Sequence, residues 1–239
     1  MYFVKKRSGK REESLRCSPC GEGALAKHLK EMGFSVFCCD INIENIKVSG
    51  VDIKKADLNK DLPYNDSFFD YVCSIEGIEH LENPYHLIRE FNRIVKKGGK
   101  LIISIPSVMN LPSRLHYLLY GWFGGFPPLT NNLYDFEKNP FPHINPINYL
   151  ELKFILEKDG FKIENVSVNR LQYVKFLKPL NLFIRLISKL HYKLMPKQDF
   201  STLLMKSEES YSRIKEFGSD EIQYSEILIL KAKKIKDAI

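Results

Sequence analysis

The segment Pro19-Cys20-Gly21-Glu22-Gly23 constrains the fold of this chain more than any other. Glycines allow a tight turn that approaches a ligand closely, and the helical pattern that follows points its first backbone N–H groups toward the same place. Asp40 ends the next apolar run, 17 residues beyond Gly23, near the roughly 20-residue spacing of nucleotide-binding βαβ units. A carboxylate at this position can accept hydrogen bonds from two ribose hydroxyls. We therefore predict a site for a nucleoside-containing cofactor at this turn.

Strand-like and helix-like patterns alternate through the first 150 residues and indicate a parallel sheet covered by helices. The predicted strands are residues 14–18, 34–39, 51–56, 69–75, 100–105, 161–168 and 226–232. The predicted helices run from the glycine turn to Gly33, from Pro84 to Gly98-Gly99, and from Asn145-Pro146 to Gly160. We expect one Rossmann-like α/β domain over residues 1–239, with a seven-stranded, mostly parallel sheet and helices on both faces. The last strand is expected to be antiparallel and to lie between the fifth and sixth.

Two insertions interrupt this pattern, at about residues 107–142 and 170–224. The first is rich in aromatic residues, which favours an ordered, packed segment over a loose loop. In the second, apolar residues recur at helical spacing while basic residues lie off the stripe. The stripe comprises Phe176, Leu180, Phe183, Ile187, Leu190 and Leu194, and the basic residues are Lys178, Arg185, Lys189 and Lys193. This pattern predicts a helical lid that packs against residues 117–136 over a substrate cleft, or a helix that rests on a membrane surface.

The composition narrows the classes of partner and location. The formal net charge is +7, but no basic stripe is interleaved with aromatic residues, which disfavours nucleic acid as substrate. The chain has 5 cysteines, and three of them lie in apolar strand-like runs, as expected for buried thiols in a reducing cytosol. We see no signal peptide and no run of about 18 apolar residues. We expect a cytoplasmic protein, with peripheral membrane contact as the open alternative; the oligomeric state is left open.

Three segments, in order and at the right spacing, resemble class I S-adenosylmethionine-dependent methyltransferases. They are Cys20-Gly21-Glu22-Gly23, then Ala56-Asp57-Leu58 through Asp70, then Ile75 through Ile103 with Gly98-Gly99. The resemblance implies S-adenosylmethionine as cofactor and assigns the residues that bind it. By that assignment Cys20, Gly21 and Gly23 approach the methionine part and ribose, Asp40 binds the ribose hydroxyls, Asp57 and Leu58 hold adenine, and Ser74 and Ile75 line the methionine end.

The chain departs from the family pattern at the start of the glycine turn. Cys17 stands where the family has an acid that bonds to the loop backbone or to the methionine ammonium, and Pro19 stands where it has the first glycine. A second hypothesis therefore stays beside the enzyme: a non-catalytic module with the methyltransferase fold that serves as an interaction partner.

The acceptor side of the predicted site begins directly after the fourth strand. Glu76, Glu79 and His80 form an E-x-x-E-H pattern, with one carboxylate three residues from the next, so that they share one face of a helical turn. The pattern resembles that of ubiquinone-pathway O-methyltransferases and small-RNA 3′-end methyltransferases, which implies Mg²⁺ at Glu76, Glu79 and His80. By resemblance His80 and His143 are the candidate catalytic residues. We expect O-methylation of a small or lipid-like acceptor.

Overall fold

The computed structural model describes residues 13–128, 142–171, 174–194 and 219–238. The strands are β1 (Ser14–Cys17), β2 (Ser35–Asp40), β3 (Asp52–Lys55), β4 (Phe69–Ile75), β5 (Val95–Pro106), β6 (Phe161–Val168) and β7 (Ile227–Lys234). The α-helices are α1 (Ala24–Glu31), α2 (Pro84–Ile94), α3 (Leu111–Tyr120), α4 (Tyr149–Lys158), α5 (Val174–Leu194) and α6 (Asp220–Tyr224). Short 3₁₀ turns cover Ile43–Asn45 and Ile78–His80.

One seven-stranded sheet forms the centre of the molecule, in the order β3-β2-β1-β4-β5-β7-β6. Strands β1 to β5 pair in parallel, and β7 runs antiparallel to both β5 and β6. The predicted fold is confirmed, including the insertion of the last strand between the fifth and sixth. Because every strand except β7 runs in the same direction, their carboxyl ends meet at one edge, where ligands bind in open α/β sheets.

The helix α2 is shorter than the sequence predicted, because it ends at Ile94 and β5 begins at Val95. Gly98 and Gly99 therefore lie inside the strand, in an irregular stretch of its pairing with β4. Gly98 has φ +78°, and a Cβ on Gly99 would lie 2.9 Å from the carbonyl oxygen of Asp70. These glycines absorb a bulge between two closely spaced strands rather than ending a helix.

Helix α4 also differs from its predicted start. It begins at Tyr149 rather than at Asn145-Pro146, because the Asn148 side chain accepts a hydrogen bond from the Glu151 backbone N–H at 3.1 Å. An asparagine in this position is a favourable helix N-cap. The preceding residues are left free to form the loop that contains His143.

Each face of the sheet is covered by its own apolar core. Leu29 and Phe34 pack on one face, and Phe91 and Leu152 pack on the other. Arg16 is fully buried in the central strand β1. Its guanidinium carbon lies 5.2 Å from the Tyr64 ring centre and 5.5 Å from that of Phe91, and its Nη2 donates to Cys39 Sγ at 2.7 Å. Aromatic faces and a sulfur thus compensate part of the cost of burying this charge. All five cysteines are free and buried, as predicted.

Helix α5 forms where the sequence predicted it, but the members of its predicted apolar stripe whose side chains are described, namely Leu180, Phe183, Ile187 and Leu190, are exposed rather than packed. Phe183, Ile187 and Leu190 are about half exposed or more, so no lid contact buries them. Part of the aromatic segment proposed as their partner, residues 129–141, lies outside the described residues, as do residues 1–12 and 195–218. Among the helices that the structure describes, none is long and apolar enough to cross a membrane.

The buried Lys234 ammonium joins the last strand to the end of α2. Its Nζ donates to the carbonyl oxygens of Asn92 at 2.7 Å and Val95 at 3.1 Å, and lies 2.9 Å from Asp237 Oδ1. Replacing Lys234 by Met keeps an apolar stem but leaves these carbonyls without their donor. We expect a loss of about 1–3 kcal/mol in the free energy of unfolding, measured by urea denaturation. The exposed neighbour Lys233→Met is the control, and an equal loss in both variants would contradict this role.

Candidate active site

The glycine turn is held by the carboxylate of Asp40. Asp40 Oδ2 accepts hydrogen bonds from the backbone N–H groups of Cys20 at 3.0 Å and Gly21 at 3.2 Å. Asp40 Oδ1 accepts from the Asn42 N–H at 3.1 Å. A carboxylate can accept about four hydrogen bonds, so roughly one position remains for a ligand. Asp40 thus supplies the loop contact that Cys17 cannot make, and its predicted ribose contact stays a prediction.

The two glycines of the turn play different parts. Gly21 has φ +49° and no atom near the position where a Cβ would stand, so its backbone is open to a ligand. Gly23 has φ +90° and caps α1, and a Cβ there would lie 3.0 Å from Val48 Cγ1. The first glycine provides access and the second permits close packing of the helix start. The backbone therefore has the shape that an approaching cofactor needs.

A direct contact joins the cofactor loop to the loop after β4. A Cβ on Gly77 would overlap Cδ of Pro19, so only glycine fits opposite this proline. In addition, the Ser18 backbone N–H donates to the Cys73 carbonyl at 2.9 Å. Pro19, which departs from the family pattern, is thus accommodated by a glycine in the neighbouring loop. The two halves of the predicted site touch at this point.

The remaining predicted cofactor residues lie at the same sheet edge. Asp57 follows β3, accepts from the Asn59 N–H at 2.9 Å and is only partly exposed, while Leu58 is buried. Ser74 and Ile75 end β4; Ile75 is exposed, and the buried Ser74 hydroxyl has no hydrogen-bond partner among the described residues. Their assigned roles toward adenine and methionine stay predictions.

Three side chains converge beyond the end of β4: Glu79, His80 and His143. One potential ligand atom from each lies within 4.8 Å of the others. The imidazole rings of the two histidines are 4.7 Å apart between centres. Glu79 is fully buried, and neither of its carboxylate oxygens has a hydrogen-bond partner in the described part of the chain. A buried carboxylate without partners is costly, which marks this cluster as a site built to receive a proton, a cation or a ligand.

Backbone contacts hold this cluster together across 62 residues of sequence. The Glu79 carbonyl accepts from the N–H groups of Ile144 at 3.0 Å and Asn145 at 2.9 Å. His80 Nδ1 lies 3.1 Å from the Pro142 carbonyl oxygen. That contact favours the tautomer with Nδ1–H, in which the lone pair lies on Nε2. The loop before α4 is thus tied to the 3₁₀ turn after β4.

The electrostatics of the cluster favour neutral forms. Burial raises the pKa of Glu79 to about 7; the backbone N–H of the same residue opposes this rise, and the negative charge of Glu76 adds to it. Burial and the neighbouring His80 lower the pKa of His143. Within the described part of the chain, His143 Nδ1 is buried without a hydrogen bond of normal geometry, although the Gly125 backbone lies beside it. Near neutral pH the cluster therefore holds a carboxyl poised to ionise and an uncharged imidazole.

The predicted site is brought together in part. The structure brings His80 and His143 next to each other, whereas within the described residues Glu76 is not among the converging ligand atoms. Glu76 is instead exposed with φ +50°, and its N–H donates to Ser104 Oγ. Phe126, whose ring centre lies 5.0 Å from that of His143, was not predicted. Its position within the aromatic insertion was the only signal that could have indicated it.

Comparison with known proteins shows which family and which solved structures this chain resembles. Residues 18–103 match the family described as Methyltransferase domain. The structure is similar to that of a SAM dependent methyltransferase from Archaeoglobus fulgidus, with a TM-score of 0.56 and 21% identity over 93% of this chain and 86% of that one. The chain has the class I methyltransferase fold. The resemblance inferred from the sequence is thereby confirmed.

Two further relatives differ in their described acceptors. Phosphoethanolamine N-methyltransferase 2 of Haemonchus contortus, solved with S-adenosyl-L-methionine, has a TM-score of 0.51 and 19% identity, over 95% of this chain and 50% of that chain. A demethylmenaquinone methyltransferase of Bacillus cereus (strain AH187) is 29% identical over 119 residues, 47% of this chain and 48% of the relative. The chain thus spans about half the length of the curated relatives it matches.

Glu79 makes the stability of this methyltransferase-fold chain depend on pH. Because the pKa of Glu79 is raised in the folded state, its contribution is present in full below about pH 4.5 and is lost as the pH rises to about 7. Glu79→Gln removes this titration. We expect the free energy of unfolding of the wild type, relative to Glu79→Gln, to fall by about 2–3 kcal/mol from acid to neutral pH. Urea denaturation at several pH values measures it.

The exposed carboxylate Glu82 provides the control for this measurement. Glu82→Gln should leave the pH dependence of unfolding as in the wild type. A pH profile of Glu79→Gln that parallels the wild type would show that Glu79 titrates normally in the folded protein.

Proposed function

We propose that the protein transfers a methyl group from S-adenosylmethionine to an oxygen of a small or lipid-like acceptor. The observation that carries this proposal is the contact between Pro19 and Gly77. Because of this contact, the glycine turn lies directly beside the segment that contains Glu79 and His80. Both belong to residues 18–103, which match the family described as Methyltransferase domain. A donor in the turn and an acceptor at the cluster would then meet across this contact.

The donor supplies the reactive methyl group, since a sulfonium is already a good electrophile and leaves as a neutral thioether. The chain has mainly to hold the acceptor oxygen in line with that methyl group. Asp40 fixes the glycine turn through Cys20 and Gly21. The exposed Ile75 at the end of β4 offers an apolar surface between the proposed donor site and the proposed acceptor site.

A hydroxyl acceptor must lose a proton as the new O–C bond forms, and His143 is the group we propose to accept it. Its lowered pKa keeps the imidazole uncharged at neutral pH, as a general base requires. The resulting imidazolium would be stabilised by the Glu79 carboxylate, whose oxygen lies within 4.8 Å. His80 is oriented through the Pro142 carbonyl, and one of its ring nitrogens lies within 4.8 Å of the potential ligand atoms of Glu79 and His143.

The same three side chains fit a divalent cation. A metal ion there would bind the acceptor oxygen as a Lewis acid and lower its pKa. One carboxylate and two imidazoles are a donor set that suits Mn²⁺, Fe²⁺ or Zn²⁺ better than Mg²⁺, which prefers oxygen ligands alone. We therefore propose Glu79, His80 and His143 as ligands, in place of the set that includes Glu76.

The acceptor is proposed to be a hydroxylated aromatic compound with an apolar part. The Bacillus cereus relative described as a demethylmenaquinone methyltransferase supports a quinone-like ring. The site also has the aromatic Phe126 against His143, and an aromatic ring packs well on such a surface. Release of S-adenosylhomocysteine would be measured with the reduced form of demethylmenaquinone and with a water-soluble catechol, and the methylated product would be identified. A methyl ether would support transfer to oxygen, whereas a methyl group on a ring carbon would contradict it.

Asp40→Ala tests the cofactor site. Removing the carboxylate frees the N–H groups of Cys20 and Gly21 and deletes the proposed ribose contact. We expect S-adenosylmethionine affinity to fall by about 1.5–3 kcal/mol, roughly 10- to 150-fold, in isothermal titration calorimetry. The exposed Asp52→Ala in the neighbouring strand is the matched control and should bind like the wild type.

The same titration separates the enzyme from an interaction module. If the wild type binds neither S-adenosylmethionine nor S-adenosylhomocysteine, the departures at Cys17 and Pro19 have abolished the cofactor site and the module hypothesis holds. Equal binding by wild type and Asp40→Ala would instead contradict only the role of Asp40.

Metal binding gives the cluster its own test. We expect Mn²⁺ to raise the unfolding temperature of metal-stripped wild type and to bind Glu79→Gln at least tenfold more weakly, since the amide loses the charge that holds the ion. Glu82→Gln should respond like the wild type. An unchanged response in Glu79→Gln, or turnover insensitive to chelator, would leave the cluster as a metal-free acid–base site.

A further inference from the structure

Helix α5 presents a continuous apolar stripe to solvent. The exposed fractions are 69% for Leu182, 58% for Phe183, 66% for Leu186, 49% for Ile187 and 57% for Leu190. These positions recur at one, three and four residues, so they share one side of the helix. Soluble monomers rarely leave such a continuous apolar surface open.

The opposite side of α5 is the one that meets the rest of the molecule. Asn181 is buried, and Leu177 and Ile184 are half-buried, at spacings of four and three residues. The helix thus contacts the rest of the molecule along a narrow line of residues, Leu177, Asn181 and Ile184. Its larger apolar side points away from the sheet. A helix that closes over a cleft would instead bury its larger apolar side and expose its polar side.

Charge indicates what covers this stripe. The sequence of α5 has no Asp or Glu, and its five basic residues are Lys175, Lys178, Arg185, Lys189 and Lys193. Lys178 is exposed. An apolar stripe together with only positive charge fits the interface of a bilayer that contains anionic lipids. A second copy of the same basic helix would instead bring like charges together.

Helix α5 starts on the side of the molecule that carries the candidate active site. Helix α5 follows β6 and α3 follows β5, and both strands end at the sheet edge that carries Asp40 and Glu79. Helix α3 adds a second exposed apolar segment, in which Leu118 and Leu119 are largely exposed. Contact of α5 with a bilayer would bring that edge toward the lipid.

We propose that α5 docks the protein onto anionic membrane surfaces and that the acceptor is drawn from the lipid phase. The docking surface is defined as Leu182, Phe183, Leu186, Ile187 and Leu190. Its binding to lipid does not depend on methyl transfer, whereas the lipid origin of the acceptor rests on the proposed function. The two are therefore tested by separate measurements.

Flotation with vesicles tests the docking surface. Wild type should bind vesicles of phosphatidylcholine mixed with phosphatidylglycerol, bind phosphatidylcholine alone much less, and lose binding at high salt. Phe183→Gln should weaken the partition about tenfold, and Lys178→Glu should weaken it about fivefold or more. Phe154→Gln, which changes a 47% exposed aromatic on α4, is the matched control and should float like the wild type.

Three results would overturn the proposal. The first is no binding to either vesicle type. The second is a concentration-dependent dimer in sedimentation velocity that Phe183→Gln abolishes, which would assign the surface to a second copy. The third is a large fall in unfolding temperature in Phe183→Gln but not in Phe154→Gln, which would mean that the chain itself covers the stripe. If vesicle binding holds while S-adenosylmethionine does not bind, the docking surface stands and the proposed function fails.

Discussion

The candidate active site depends on one carboxylate. Asp40 lies at the carboxyl end of β2 and accepts hydrogen bonds from the Cys20 and Gly21 N–H groups and, two residues on, from Asn42. These bonds hold the glycine turn against the neighbouring strand while leaving the Gly21 backbone open. Without them, the turn that begins Cys17-Ser18-Pro19 would still be held by the Ser18–Cys73 backbone bond and by the packing of Pro19 against Gly77, but Gly21 would lose its bond to β2. Hydrogen bonds to a charged acceptor are stronger than neutral ones, so a single buried carboxylate can replace an acid missing elsewhere.

The acceptor side depends on a second, backbone-based arrangement. The Glu79 carbonyl and the Pro142 carbonyl together tie the 3₁₀ turn after β4 to the loop before α4. This arrangement leaves the Glu79 carboxylate buried without a hydrogen-bond partner among the described residues, and burial raises its pKa to about 7. Such unsatisfied, pKa-shifted groups concentrate at functional sites because only a ligand or a proton compensates them. The cluster is therefore better explained by chemistry than by stability.

The outer face of α5 shows that the same apolar helical pattern is compatible with packing inside the protein and with exposure to a partner surface. An apolar stripe at helical spacing predicts that another apolar surface covers the stripe, but it does not show whether that surface belongs to the same protein or to a membrane. In the folded chain Asn181 lies on the buried side of the helix and Phe183 faces outward. Helical periodicity identified the element, but the attachment side was decided by contacts with residues far away in sequence. The positive charge of α5, together with its lack of acidic residues, is what favours lipid over a second copy of the chain in the docking proposal.

The sequence alone determined the fold. Alternating patterns, the Gly21–Gly23 turn and the two closing strands predicted the seven-stranded sheet and the position of β7, because hydrophobic periodicity and glycine conformations are local properties. Local rules failed at Gly98 and Gly99, where a bulge between β4 and β5 required glycine for a reason that only strand pairing shows. They also failed at Glu76 and Glu79, which the E-x-x-E-H spacing treats alike. The chain leaves the end of β4 with Glu76 at positive φ, so one carboxylate turns outward and the other is buried beside His143, 64 residues away. Only the tertiary structure could decide that, because it depends on which distant loop packs against the turn.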